Sequence, residues 1–219
     1  MKSHKVRIFA VIGVASAMIA FTWLFFLPRR PFHSYSNLLS TSHSSDWKFY
    51  GGSWNFIASG VQNLTGDRGD KAIFGEERWS NYSVESDVRF DTDPSGMHWG
   101  DSGIVVRVTD PAIGVDAYYG YYAGISYADQ QLFIGKADYG WNRLVSSHLP
   151  EPVRLARWYH LTVRVKGCYI EAEVYPIGSA EITKASFFDE GCRQTFGSVG
   201  IRTFGVRASW EHFEVSPLR

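Results

Sequence analysis

The sequence predicts an all-β fold, two packed antiparallel sheets preceded by one N-terminal transmembrane helix, and three observations predict it. Ile8 to Leu27 is a run of twenty residues without a charge. From Asp46 onward, apolar and polar residues alternate with period 2 in short runs. Turn residues recur at short intervals between those runs, and no stretch of helical length carries a 3.6-residue apolar period.

At 1.5 Å per residue, the charge-free run crosses a hydrocarbon core of about 30 Å. Lys2, Lys5, Arg7 and the α-amine precede it, and Arg29 and Arg30 follow it. That bias keeps residues 1–7 as a cytoplasmic tail and sends the rest outside, to the periplasm or cell surface. A cleaved signal peptide is the alternative. Its apolar region would be shorter and followed by a small-x-small site, whereas Phe25, Phe26 and Leu27 fill the end of this one. Residues 8–27 are therefore expected to stay as a signal-anchor. Residues 28–45, rich in Ser, Pro and His and without periodicity, read as a linker to a domain spanning 46–219.

Within that domain, Asn81 to Asp91 is the cleanest strand. Tyr82, Val84, Val88 and Phe90 fall on one face, and Ser83, Glu85, Asp87, Arg89 and Asp91 on the other. Gly103 to Val108 sets Ile104, Val106 and Val108 against Val105 and Arg107. Trp158 to Val165 sets Tyr159, Leu161, Val163 and Val165 against Trp158, His160, Thr162 and Arg164. The turn at Lys166-Gly167 makes Cys168 to Tyr175 the second arm of a hairpin. Gly200 to Phe204 and Ser209 to Val215 close the chain.

The two cysteines, Cys168 and Cys192, are expected to pair in an oxidising compartment, two buried free thiols being the alternative. Cys192 precedes a strand starting near Gly197 that would lie beside the hairpin. Closing this loop would remove on the order of 3 kcal/mol of unfolded-state entropy.

Lys+Arg and Asp+Glu both number 22, and no basic run tracks a phosphate backbone, so nucleic acid is not an expected partner. Gly-x-Ser-x-Gly elbows, phosphate-binding Gly-rich loops and His-Glu-x-x-His are missing from the sequence. His98, His148, His160 and His212 read as structural or solvent-exposed, and no metal-ligand spacing is present. Aromatic residues make up 16% of the chain, a usage shared by sandwich cores and sugar-binding faces.

An ordered set of motifs carries a family resemblance: Trp47 with Gly51-Gly52-Ser53-Trp54; Trp79-x-Asn81-Tyr82-Ser83-Val84-Glu85; Asp101-Ser102-Gly103-Ile104-Val105-Val106-Arg107; Gly120-Tyr121-Tyr122-Ala123; Trp158-Tyr159-His160-Leu161-Thr162-Val163; Gly197-x-Val199-Gly200-Ile201-Arg202; and Trp210-Glu211-His212-Phe213-Glu214-Val215. This resembles the concanavalin A-like lectin/glucanase superfamily, nearest to laminin-G-like domains and the bacterial keto-disaccharide hydrolase-like domain. The resemblance implies a jelly-roll sandwich. It leaves function open, because that fold hosts lectins, adhesion modules and hydrolases. It also implies a structural calcium held partly by Asp46 and Glu211, with Glu211 standing where Asp is usual. Glucanases of the superfamily place catalytic carboxylates as E-x-D-x-x-E. Here Glu85-Ser86-Asp87-Val88-Arg89-Phe90 lacks the third.

The expected function is a membrane-anchored carbohydrate-binding or adhesion module without catalytic residues; the alternative is a glycosidase-like hydrolase of the keto-disaccharide type. The expected ligand side chains are Trp99, Arg107, Tyr119, Tyr121, Tyr139 and Trp141, rings to stack on a saccharide and a guanidinium to hydrogen-bond its hydroxyls. Alternation puts Tyr119 and Tyr121 on one face and Tyr118 and Tyr122 on the other, and sequence leaves open which face is core.

Overall fold

The computed structural model describes residues 33–66, 68–93, 96 and 99–218. The expected cytoplasmic tail, signal-anchor and first linker residues lie outside them. The strands are β1 (Lys48–Tyr50), β2 (Trp54–Ile57), β3 (Gly60–Asn63), β4 (Arg68–Phe74), β5 (Tyr82–Thr92), β6 (Asp101–Thr109), β7 (Tyr119–Ser126), β8 (Gln131–Asp138), β9 (Trp141–His148), β10 (Trp158–Lys166), β11 (Tyr169–Pro176), β12 (Thr183–Phe188), β13 (Ser198–Phe204) and β14 (Arg207–Pro217). They form two seven-stranded antiparallel sheets, ordered β1-β4-β13-β6-β7-β8-β9 and β12-β11-β10-β5-β14-β3-β2. This is the expected all-β jelly-roll sandwich, and for brevity the sheets are called after β6 and β5.

Alternation builds the interior. On β5, the apolar set Tyr82, Val84, Val88 and Phe90 is buried, beside Tyr159, Leu161, Val163 and Val165 of β10, which pair across from it. The β6 sheet contributes Ile104, Val106, Ala123, Ile125, Leu132, Ile134 and Ile201, all buried. Each large apolar side chain so removed from water stabilises the fold by about 1.5–3 kcal/mol.

Two expectations are corrected. The domain starts at His33, before the expected boundary at Asp46. Tyr35 bridges to Val215 through two backbone hydrogen bonds, Leu38 and Leu39 are each 2% exposed, and the Trp47 indole donates to the Leu38 carbonyl. Polar composition hid this, because backbone pairing and three apolar anchors suffice to hold the segment down. The disulfide joins Cys168 to Cys192 as expected, with Cα atoms 5.2 Å apart, but not between neighbouring strands. Cys168 sits in the β10–β11 turn, whereas β13 belongs to the opposite sheet, between β4 and β6. The bond ties the turn to the loop that crosses from one sheet to the other, and the Asp189 N–H donates to the Cys168 carbonyl beside it.

Replacing both cysteines with serine should therefore release a crossover rather than weaken a ladder. We expect unfolding free energy to fall by about 3 kcal/mol, read as a lower urea midpoint. An oxidised wild type no more stable than the double variant would contradict this role.

Candidate functional site

The outer face of the β6 sheet is assembled by register. One row runs Ile73, Gly200, Val105, Tyr122, Gly135 across β4, β13, β6, β7 and β8. The next runs Lys71, Arg202, Gly103, Gly124, Phe133, and a third runs Phe204, Asp101, Ser126, Gln131. Glycine stands second and last in the first row and fills two of the inner positions of the second, so rings lie directly on backbone. A Cβ at Gly135 would stand 2.2 Å from Cη2 of Trp141, and one at Gly124 would stand 2.7 Å from Cζ of Phe133. Ile73, Val105, Val108, Tyr118, Tyr122, Phe133 and Ala137 form a buried cluster, with Tyr50 packed on it. This outer face is thus a second, shallow apolar core.

Arg202 lies in that apolar surface at 4% exposure. Its guanidinium carbon stands 4.4 Å from the Tyr122 ring centroid, 5.6 Å from Trp141 and 6.0 Å from Phe204. Cation–ring contacts of this kind contribute on the order of 1 kcal/mol each. One Nη donates to Asp116 in the β6–β7 loop at 3.2 Å. The same loop accepts a 2.6 Å hydrogen bond from the Lys71 ammonium at the Gly114 carbonyl. Burial, with Arg202 nearby, lowers the Lys71 pKa to about 8 against the opposing pull of Asp116 and Asp70. Burial raises the pKa of Asp101 against the pull of Arg202, and Asp101 accepts from the Tyr122 hydroxyl at 2.7 Å. Two buried donors, Arg202 Nε and the Tyr118 hydroxyl, have no hydrogen-bond partner among the described residues. Such groups are rare in folded proteins.

The structure sorts the sequence-predicted residues into three sets. Trp141 and Trp99 belong to this face. Trp141 is 39% exposed, yet it touches Tyr122 and Phe133 with centroids 6.1 and 6.0 Å away. Trp99, half-buried, meets Phe204 edge-on at 5.2 Å. Arg202 and Phe204 thus join the two indoles into one track. Tyr119 and Tyr139 form a separate exposed pair, centroids 5.2 Å apart, and the Tyr139 hydroxyl donates to the Asp110 carbonyl. Tyr121 is buried on the inner side, where its hydroxyl donates to Asp189, which also accepts from the Lys136 ammonium at 2.7 Å.

Arg107 is corrected outright. It is 0% exposed, and its backbone takes φ 53° at a register break in β6. Simple alternation, which put it on the non-core face, does not hold through a bulge. Its guanidinium donates to the carbonyls of Ser80 and Gln194, and its backbone N–H donates to the Tyr82 hydroxyl at 2.7 Å. It caps loop carbonyls inside the sandwich.

Sequence reasoning missed Lys71, Tyr118 and Arg202 as site members. The signal was present for Arg202: Gly200, Arg202 and Phe204 alternate on one side of β13 with Val199, Ile201 and Thr203 on the other.

On the outer face of the β5 sheet, Glu85 and Asp87 do share a side. Asp87 accepts from Nδ1 of His160 and Nδ1 of His212, both at 2.7 Å. Although burial pushes the Asp87 carboxyl up, these bonds win and hold it below its ordinary value. A carboxyl held ionised this way is a poor general acid. The hydrogen bond to Asp87 raises the His160 pKa, against burial. Asp46 and Glu211 have other partners: His43 at 3.0 Å and the Ser59 hydroxyl at 2.8 Å. Among the described residues, no three His, Cys, Asp or Glu side chains gather to hold a metal, and we assign no ion to them.

A family model described as galactocerebrosidase, C-terminal lectin domain, matches residues 65–218. No curated protein sequence matches. Among solved structures, a Bacillus subtilis protein of unknown function with a galectin-like fold gives a TM-score of 0.65 at 14% identity, covering 86% of this chain and 97% of that one. The exoplasmic/lumenal domain of VIP36, in its Ca2+/Man3GlcNAc-bound form, gives 0.61 at 10%, covering 85% and 89%. Lectin II from Ulex europaeus gives 0.62 at 8%, covering 84% and 97%. At these identities the likeness establishes the fold, which is the concanavalin-like sandwich the motifs resemble.

The Asp87 cluster has a defined pH dependence. His160 has a folded-state pKa raised above 6.5, so its contribution is complete below pH 6.5 and is lost as pH climbs through the raised value. Asp87 is lowered below 3.8, so its contribution is complete above pH 3.8 and is lost as pH falls through the lowered value. The stability gap between wild type and Asp87→Asn should be widest between these limits. Urea titrations at about pH 5 and about pH 9 check it; a gap that grows toward pH 9 would contradict the assignment.

Proposed function

Because the chain belongs to the galactocerebrosidase C-terminal lectin domain family, we propose that it is a saccharide-binding module held outside the cytoplasm by its N-terminal segment, without catalytic residues of its own. The observation that carries this reading is Trp141: an indole 39% open to solvent, fixed on a glycine floor and backed by a guanidinium. A ring held this way loses little entropy when the apolar face of a pyranose stacks on it.

Trp99 supplies a second ring along the track. Asp101, Gln131 and Arg143 bring polar groups to the same face, Arg143 exposed and paired with Asp129 at 2.8 Å. An open surface with a few rings implies modest affinity.

The charge bias around residues 8–27 and the Cys168–Cys192 disulfide support an extracytoplasmic, membrane-tethered placement. The hydrolase alternative needs a proton-donating carboxyl opposite a nucleophile, and the state of Asp87 argues against it.

A glycan array probed with the full-length chain identifies ligands. Against the best of them, Trp141→Ala should weaken binding about tenfold in a chain that still folds, with a lower unfolding midpoint because its contacts with Arg202, Tyr122 and Phe133 go with the ring. Arg107→Ala should instead lower stability, because the Ser80 and Gln194 carbonyls lose their donor. Unchanged affinity in Trp141→Ala would remove the site from this face. Glycoside cleavage abolished by Asp87→Asn would replace the binding reading with the enzyme.

A further inference from the structure

A cavity of about 470 Å³ opens beside the β5 sheet, lined by residues other than those of the Trp141 face. Gln62, Asn63 and Leu64 from the end of β3, Arg89, Asp91 and Thr92 from β5, Ala156 before β10, and Arg207 at the start of β14 line it. Its charged lining is two guanidinium groups and one carboxylate, so the positive charge is in excess.

The carboxylate is already engaged through both oxygens. Asp91 accepts from Arg89 Nε at 2.7 Å through one oxygen and from the Ser209 hydroxyl at 2.6 Å through the other. Arg89 is also fixed in place, its guanidinium carbon 4.7 Å from the centre of the Trp158 ring. The rest of its N–H groups make no hydrogen bond among the described residues. The Arg207 side chain, exposed, makes no ion pair or hydrogen bond with another described residue. One guanidinium is thus pre-positioned by a carboxylate and a ring, and a second shares the cavity without an ion-pair partner among the described residues. Exposed Leu64, with Ala156, adds an apolar wall beside them.

We propose that this cavity is a second ligand site, selective for an oxyanion substituent on a saccharide, a sulfate ester or a carboxylate. Guanidinium forks match the paired oxygens of those groups. The apolar wall takes the ring carbons that carry the substituent. The site is on the β5 side of the sandwich and does not share a residue with the Trp141 face, so an anionic glycan has two independent footholds on the chain. The saccharide part of the proposal rests on the function proposed above; the anion part stands on the cavity alone.

Titrations of the full-length chain at constant ionic strength with N-acetylglucosamine 6-sulfate, unsulfated N-acetylglucosamine and inorganic sulfate test it. The sulfated sugar should bind at least tenfold more tightly than the unsulfated one. Arg207→Ala should erase that preference without moving the unfolding midpoint, since the side chain holds no hydrogen bond or ion pair among the described residues, and Trp141→Ala should leave the preference intact. Inorganic sulfate competing at the same cavity supports the oxyanion assignment even where neutral sugars do not bind, which separates this proposal from the Trp141 reading. No preference for the sulfated sugar, or a preference that survives Arg207→Ala, overturns it.

Discussion

Burying a guanidinium on the outside of a β-sheet sets conditions that much of this molecule meets. Arg202 is taken almost entirely out of water, and an unpaired charge there would cost several kcal/mol. Asp116 answers it from the β6–β7 loop, Asp101 lies close enough to pull on it and be pulled, and the rings of Tyr122, Trp141 and Phe204 surround it. Each requirement places a structural element. Asp116 keeps the loop folded over the sheet, where the Lys71 ammonium holds it again at Gly114. Tyr122 commits its hydroxyl to Asp101. Trp141 has to lie across the sheet, which only a glycine beneath it allows. The exposed indole is therefore a by-product of solving a buried-charge problem, and its rigidity follows from that.

The two sheets divide their labour differently. The inner strands of the β6 sheet are buried on both faces, one against the sandwich core and one under its own aromatic layer, while the edge strands β1 and β9 are largely exposed. The β5 sheet shows a polar outer face laced by Asp87 with His160 and His212, and by Glu173 with Arg164 and Lys184. Exposed pairs of the latter kind add little individually. They do keep a long antiparallel face soluble without closing it to a ligand, and the Arg89–Arg207 cavity opens beside it.

Where backbone was regular, sequence alternation told the truth: every apolar residue assigned to the buried side of β5 is buried. It broke at Arg107, because a single residue at φ 53° turns a side chain predicted to face outward into the interior. It was silent about Tyr119 to Tyr122, since a strand buried on both faces gives no polar side to read. Trp99 and Trp141 were found by type and Arg202 was not, because Gly103 and Gly124, which share its row, come from two other strands and meet it only through register. The segment before Asp46 looked like a linker because its anchoring is mostly backbone pairing, which leaves no trace in composition. The pairing of Cys168 with Cys192 was legible by count, whereas the sheet crossing it secures was not.

The central claim is that saccharide meets this chain on the Trp141 track. Indole N–H resonances of the chain labelled at tryptophan, followed while a saccharide taken from the array is added, test it most directly. The account predicts that the Trp141 and Trp99 signals move together and saturate with one affinity, while buried Trp210 and Trp47 stay still. A bound saccharide that leaves Trp141 and Trp99 unmoved would contradict it.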